Sequence, residues 1–155
     1  MERINARTNE QTKQAHKNLY GYYTAELTGI LPLLKGVIAE DGSFTPPSRF
    51  AELEETSPMA AELLFDDGKP AGFLLTETAR DGRFWLHELY VMPFGRRQGT
   101  GSQVIQDWLK IPNAATHILK ADTHSLALVK KLAKENRIEL QIEERDPIAW
   151  NVFVK

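Results

Sequence analysis

The sequence predicts a mixed α+β domain built on a largely antiparallel sheet, and three observations lead there. From residue 61 onward, strand-like runs are separated by two turn signals, Asp66-Asp67-Gly68-Lys69 and Ala79-Arg80-Asp81-Gly82, which reads as an antiparallel meander. Residues 85–109, WLHELYVMPFGRRQGTGSQVIQDWL, then read as strand, turn and helix. Helical periodicity before the meander and after this segment supplies the α part. At 155 residues the chain is expected to be a single domain, 1–155, long enough to bury a core.

Taken in order, residues 1–7 alternate weakly and suggest a short first strand. Residues 11–27 place Ala15, Leu19, Tyr22, Tyr23 and Leu27 on one side of a helix, with Asn9 as its cap. Gly21 lies inside that helix, so either the helix bends there or something packs close. Residues 30–38 are apolar but broken by Pro32 and Gly36, and the Glu40-Asp41-Gly42-Ser43 and Pro46-Pro47 stretches are turn chemistry, so a short helix and a loop are expected. In the meander, residues 62–65, 70–78 and 83–91 are the strands. The third contains Phe84, Trp85, Tyr90 and Val91 with few polar residues, as expected of a central strand buried on both faces. Pro93 ends it, and Val104, Ile105, Trp108 and Leu109 mark an amphipathic helix that stops before Pro112. Residues 115–121 form a strand and 123–135 a helix capped by Asp122 or Thr123, with Asn136 taking the left-handed conformation at its end. Residues 138–143 and 148–154 are the last two strands.

Composition removes several function classes. A net charge of -2 without a long basic run argues against a nucleic-acid binder. The absence of cysteine excludes a thiol nucleophile and cysteine metal sites, and His16, His87, His117 and His124 lack metal-ligand spacing, so no metal is expected. The N-terminus is polar and no apolar run approaches roughly 18 residues, so neither a signal peptide nor a membrane anchor is expected and cytoplasmic is the default location.

Between strand and helix lies Arg96-Arg97-Gln98-Gly99-Thr100-Gly101. Its glycines allow positive φ or close backbone approach where a helix N-terminus leaves amides unpaired, and two arginines add permanent charge. That combination suits a phosphate or pyrophosphate. A Walker A loop fails because no Gly-Lys-Ser/Thr follows at the needed spacing. A dinucleotide fingerprint wants a small residue where Val104 stands, although Asp122 falls about 20 residues downstream as that motif requires. An ordinary strand-to-helix turn with exposed arginines is the remaining alternative. Taken whole, however, Val91-x-Pro93-x-x-Arg96-x-x-Gly99-x-Gly101 resembles the acetyl-CoA-binding motif of the GNAT superfamily of N-acetyltransferases.

The phrase Gly68-Lys69-Pro70-Ala71-Gly72-Phe73 is similar to a hairpin common in that family, and the loop around Glu40-Asp41-Gly42 resembles a little-characterised bacterial branch of it. The resemblance covers nearly the whole chain and is strongest over residues 68–109. It implies a mixed, mostly antiparallel central sheet with helices on both faces, and acetyl-CoA as co-substrate. It also implies a cofactor site comprising Leu89, Tyr90 and Val91 on the strand, the loop of Arg96, Arg97, Gln98, Gly99, Thr100, Gly101 and Ser102, and Asp122 near the pantetheine arm.

Acetyl transfer to an amine needs a proton acceptor, because alkyl ammonium groups have pKa near about 10. Glu88 is a lone carboxylate in an apolar strand and matches the strand position where many GNAT enzymes carry a catalytic glutamate. A structural glutamate paired with a neighbouring helix is the other reading. By simple alternation His87 points to the opposite face from Glu88 and reads as a core or surface histidine. The family's thiolate-protonating tyrosine is missing from residues 123–135, and Asn136-Arg137-Ile138 replaces its following Gly-Phe. His124 could serve as the acid, contact the cofactor, or be a solvated loop residue.

The family shapes its acceptor cleft with the first helix. Tyr20, Tyr23 and Glu26 therefore become candidate substrate-binding residues, suited to a cationic amine but equally open to core packing. The expectation is direct transfer to a small-molecule or peptide amine, since no cysteine can carry the acetyl group. Homodimerisation is left open. The alternative is a catalytically silent acyl-CoA-binding sensor or interaction module.

Overall fold

A computed structural model describes residues 1–31, 40–42 and 59–155. The expected short helix and loop after the first helix therefore fall largely outside the described residues. The chain runs β1 (Glu2–Asn5), α1 (Glu10–Leu27), β2 (Met59–Asp66), β3 (Lys69–Thr78) and β4 (Phe84–Val91). It continues through a 3-10 turn (Pro93–Gly95), α2 (Thr100–Leu109), β5 (Ala114–Leu119), α3 (Thr123–Glu135), β6 (Leu140–Asp146) and β7 (Ala149–Val154). Seven strands form one sheet in the order β1-β2-β3-β4-β5-β7-β6. Every neighbouring pair is antiparallel except β4 and β5, whose parallel pairing follows from the α2 crossover between them.

Local chemistry accounts for the ends of the elements. Asn9 caps α1 through its side chain, while the Thr12 hydroxyl accepts from the Asn9 amide in return, a reciprocal capping box. The β2–β3 hairpin turns on Asp67 and Gly68, both at positive φ. Asp122 caps α3 by accepting from the Ser125 amide at 3.0 Å. At the other end of α3, the left-handed residue is Arg137 (φ 57) and not Asn136 (φ -92) as expected from sequence. Asn136 is the last residue before the turn, with its amide and its side chain both donating to the Leu132 carbonyl, and the turn at Arg137 brings the Arg137 and Ile138 amides back to the Lys134 and Ala133 carbonyls.

Helices lie on both faces of the sheet. Leu19 and Tyr20 of α1 pack with Leu63, Phe73, Leu75 and Tyr90 on one face, and α2 and α3 pack with Leu64, Leu74, Leu86 and Val152 on the other. His16 belongs to the first core, edge-on to Phe73. Burial, helped by the charge of Arg7, pushes its imidazole down to about 4, so it sits neutral in the core at physiological pH.

The strand buried on both faces is β3, where residues 71–76 are all buried. β4 was expected to be that strand, but only its Leu86 and Tyr90 are buried. Its position is central in the sheet, yet β5 leaves its side early, as described below.

β3 and β4 approach closely at Gly72. A Cβ there would sit 2.2 Å from the Tyr90 carbonyl oxygen, so no other residue fits without moving the strands apart. Gly21 is the opposite case, because nothing lies within 4 Å of its would-be Cβ and close packing does not explain it. Gly72→Ala should cost at least about 2 kcal/mol in urea unfolding, whereas Gly21→Ala should stabilise by up to about 1 kcal/mol. Equal effects of the two would contradict the close approach.

Candidate active site

Two irregularities in β4 create the site. The first is a β-bulge: Leu75 lies opposite Glu88 and Thr76 opposite Leu86, so His87 is an extra residue with no partner across the ladder. Phe84, Leu86, Leu89 and Val91 all pack in the α2/α3 core, while Tyr90 packs in the core under α1, Glu88 meets Tyr20 of that helix, and His87 meets Glu77. The bulge therefore places His87 and Glu88 together on the α1 face. This corrects the sequence expectation that they point to opposite sides, which assumed an unbroken alternation.

The second irregularity is the short seam with β5. β4 and β5 pair only over Phe84–Leu86 and Ala114–Thr116, tied at the end by the Thr116 hydroxyl donating to the Leu86 carbonyl at 2.7 Å. Beyond that point the strands part around a cavity of about 150 Å³. His87, Glu88 and Leu89 line one wall, His117, Ile118 and Leu119 the other, with Tyr23 and Leu27 of α1 and Asp122, Ser125 and Val129 around α3.

The carboxylate of Glu88 receives the Tyr20 hydroxyl at 3.3 Å. Tyr20 itself is 4% exposed, so it is a core residue whose polar tip reaches the cavity side. His87 meets the Glu77 carboxylate through Nε2 at 2.8 Å. A carboxylate can only accept there, so Nε2 carries the proton. His117 holds Asn151 through Nδ1 at 2.8 Å and stacks on Trp85, ring centroids 4.3 Å apart.

Past the end of β4, at Val91, the chain passes through a 3-10 turn into α2. Gly99 is the residue before the helix and has φ 88, a conformation that excludes most side chains. Among the described residues, no amide from Arg97 to Ser102 donates to a backbone carbonyl with good geometry. The first-turn amides of α2, at the positive end of its dipole and behind a left-handed glycine, make an anion cradle with the loop before them.

Arg96 does not point into that cradle. Its Nε donates to the Val91 carbonyl at 2.7 Å, its Nη2 pairs with Glu26 of α1 at 2.5 Å, and its guanidinium lies 5.7 Å from the centre of the Tyr90 ring. The Tyr90 hydroxyl donates to the other Glu26 oxygen at 2.7 Å. Burial alone would raise the Glu26 carboxyl, but hydrogen bonds from Arg96 and Tyr90 and the guanidinium charge together hold it below the usual carboxylate range. Burial, with the bond to Glu26 and its charge, pushes the Tyr90 phenol up. Arg97, exposed at φ 60, makes no ion pair among the described residues.

A glycine-turned strand-to-helix loop with unpaired amides, set beside a gap in a mixed sheet, is an arrangement to compare with known proteins. The model of the acetyltransferase (GNAT) family matches residues 33–133, well over half of the chain. The chain belongs to the GNAT family. It is an acyl-CoA-dependent N-acetyltransferase. Solved GNAT structures share its fold at low identity. The PaiA N-acetyltransferase of Thermoplasma acidophilum, in complex with coenzyme A, is 13% identical with a TM-score of 0.66, covering 100% of this chain and 99% of that one. Diaminobutyrate acetyltransferase EctA of Paenibacillus lautus, in complex with L-2,4-diaminobutyric acid and coenzyme A, is 13% identical with a TM-score of 0.62, covering 99% and 94%. The ribosomal-protein-S18-alanine N-acetyltransferase of Escherichia coli is 14% identical with a TM-score of 0.56, covering 99% and 92%. No curated protein sequence matches this chain.

In this GNAT domain the residues named from sequence separate into groups. Glu88, Leu89, Tyr23 and Asp122 line the cavity, and Tyr20 reaches it through Glu88. Arg97, Gln98, Gly99, Thr100, Gly101 and Ser102 form the cradle, with Val91 packed beneath Gly101. Arg96, Tyr90 and Glu26 are joined to one another. His124 is exposed and does not line the cavity, and Asp122 is engaged by both the amide and the hydroxyl of Ser125. Val129 of α3 is buried and offers no proton. Sequence reasoning missed Glu77, Trp85 and His117. Their grouping depends on strand register, for which a single sequence carries no signal.

The cradle should tolerate no bulk at Gly101, whose added Cβ would reach only ordinary contact with Val91 at 3.9 Å and whose φ is not positive. Gly101→Val is therefore expected to keep native circular dichroism while losing acetyl-CoA binding by calorimetry. Unchanged affinity would show that the cradle is not where the cofactor binds.

Proposed function

We propose that the chain transfers an acetyl group from acetyl-CoA directly to a primary amine of a small molecule or peptide, with Glu88 as the proton acceptor. The observation that carries this reading is the placement of Glu88 on the wall of the β4/β5 cavity, on the strand that runs on into the cradle loop. The residues present fit the cofactor. The first-turn amides of α2, with Arg97 and Gly99 in the loop before it, suit a pyrophosphate, and the gap between the strands offers room beside Leu89 for an extended arm. When bound, acetyl-CoA supplies a thioester carbonyl.

Glu88 takes the proton of the incoming ammonium, directly or through one water, so that the nitrogen lone pair can attack that carbonyl. Tyr20 holds Glu88 in place through its hydroxyl. As the new C–N bond forms, the C–S bond breaks and the thiolate leaves. A thiolate with pKa near about 8.5 needs little help, and the second proton, which the nitrogen sheds as it becomes an amide, reaches the thiolate through water. His124 is exposed and lines no wall of the cavity, so it is not placed to take that role. Transfer is direct because no cysteine is available to carry the acetyl group. No helix among the described residues is long and apolar enough to cross a membrane, and we propose a cytoplasmic location.

Glu88→Gln keeps the shape and removes the base. With the true acceptor, kcat/KM should fall about 10²-fold or more at neutral pH, and the loss should shrink as rising pH deprotonates the amine in solution. His124→Ala should change the rate by less than about 10-fold. Wild-type kcat/KM for Glu88→Gln at pH 7 would move the base elsewhere, whereas a pH-independent loss with a lowered Tm would make Glu88 structural.

A further inference from the structure

Resting on the reading above, we propose that Glu26 is a second cation subsite of the acceptor cleft, occupied by Arg96 until the pyrophosphate of the cofactor draws that guanidinium into the cradle. The acceptor is then an amine carrying a second cationic group, of the diamine type.

Glu26, Tyr90 and Arg96 together are a cation site that is already filled. A carboxylate oriented by a tyrosine hydroxyl, with the ring of that same tyrosine beside the charge, is the combination that recognises ammonium and guanidinium groups. The present occupant comes from the cofactor loop. Arg96 opens the loop that leads into the N-terminus of α2, so its side chain has two competing partners, the carboxylate it now holds and a pyrophosphate arriving at that helix end. The pair with Glu26 is weakly defended, since the two side chains are 43% and 41% exposed and solvent screens them. A pyrophosphate carries more charge and accepts the guanidinium in a bidentate manner.

Glu26 also stands in the right place. It lies on the last turn of α1 between Tyr23 and Leu27, both of which line the cavity that holds Glu88. An acceptor with its reacting amine at Glu88 can direct a second cation to the rim where Glu26 sits. Once vacated, Glu26 keeps its bond from Tyr90, so the subsite stays oriented for the next cation. Cofactor and diamine binding are thereby coupled, each strengthening the other by the same factor.

Equilibrium binding of 1,4-diaminobutane, measured by calorimetry with and without coenzyme A, tests this without turnover. Coenzyme A should tighten diamine binding about 5- to 100-fold, the range of ordinary coupling energies. Glu26→Gln should remove that enhancement, and 1-aminobutane should show little of it. Arg96→Gln gives an independent arm, because its Glu26 is uncovered from the start and should bind the diamine without coenzyme A. Equal diamine affinity with and without coenzyme A in the wild-type protein, no diamine binding in either state, or an unaltered Glu26→Gln response would each overturn the proposal. Failure of coenzyme A itself to bind would instead overturn the cofactor reading on which it rests.

Discussion

β4 and β5 run side by side for three residues and then separate, and the active-site region is what this separation leaves open. Parallel strands joined by a crossover helix could continue pairing, as the five antiparallel seams of the sheet do over longer stretches. Here the last tie is the Thr116 hydroxyl on the Leu86 carbonyl. From that point on, β4 presents backbone and side chains to a cavity instead of to a neighbouring strand. The half-exposed state of β4 follows, as does the burden on β3, which anchors the centre of the sheet with six buried residues in succession. The bulge at His87 acts on the same strand. Adding one residue to β4 turns its polar pair toward α1 while leaving Leu86 and Leu89 in the opposite core.

The loop that follows is held from outside its own segment. Arg96 links the end of β4, through Val91, to the last turn of α1 through Glu26. That linkage joins the helix shaping the acceptor side to the loop fitted for the cofactor. Exposed ion pairs contribute little to stability, on the order of 0–1 kcal/mol, so this contact is better suited to being exchanged than to holding the fold. The cores on the two sheet faces hold the fold, and the site is left free to carry unpaired donors at its loop.

Much of this architecture can be read in the sequence because it rests on local chemistry. Asn9, Asp67-Gly68, Pro93 and Asp122 each act on their own few residues, and the elements they bound appear within a few positions of expectation. The cradle was legible for the same reason. Errors came where several residues decide together. A bulge leaves no local mark, so alternation put His87 on the wrong face, and no composition rule reveals that a central strand loses its neighbour halfway. Asn136 has the usual preference for a left-handed helix end, yet the helix runs one residue further and the left-handed turn falls on Arg137. The bond of Arg96 to Glu26, 70 positions away along the chain, is likewise outside the reach of local chemistry.

The account turns on where acetyl-CoA meets the chain, and amide hydrogen exchange of the wild-type protein with and without acetyl-CoA measures that directly. Protection should concentrate in the amides of residues 97–102 and along the parted ends of β4 and β5, with β1 and the β6 edge unchanged. Unchanged exchange at residues 97–102 in the presence of saturating acetyl-CoA, or protection confined to another surface, would contradict it.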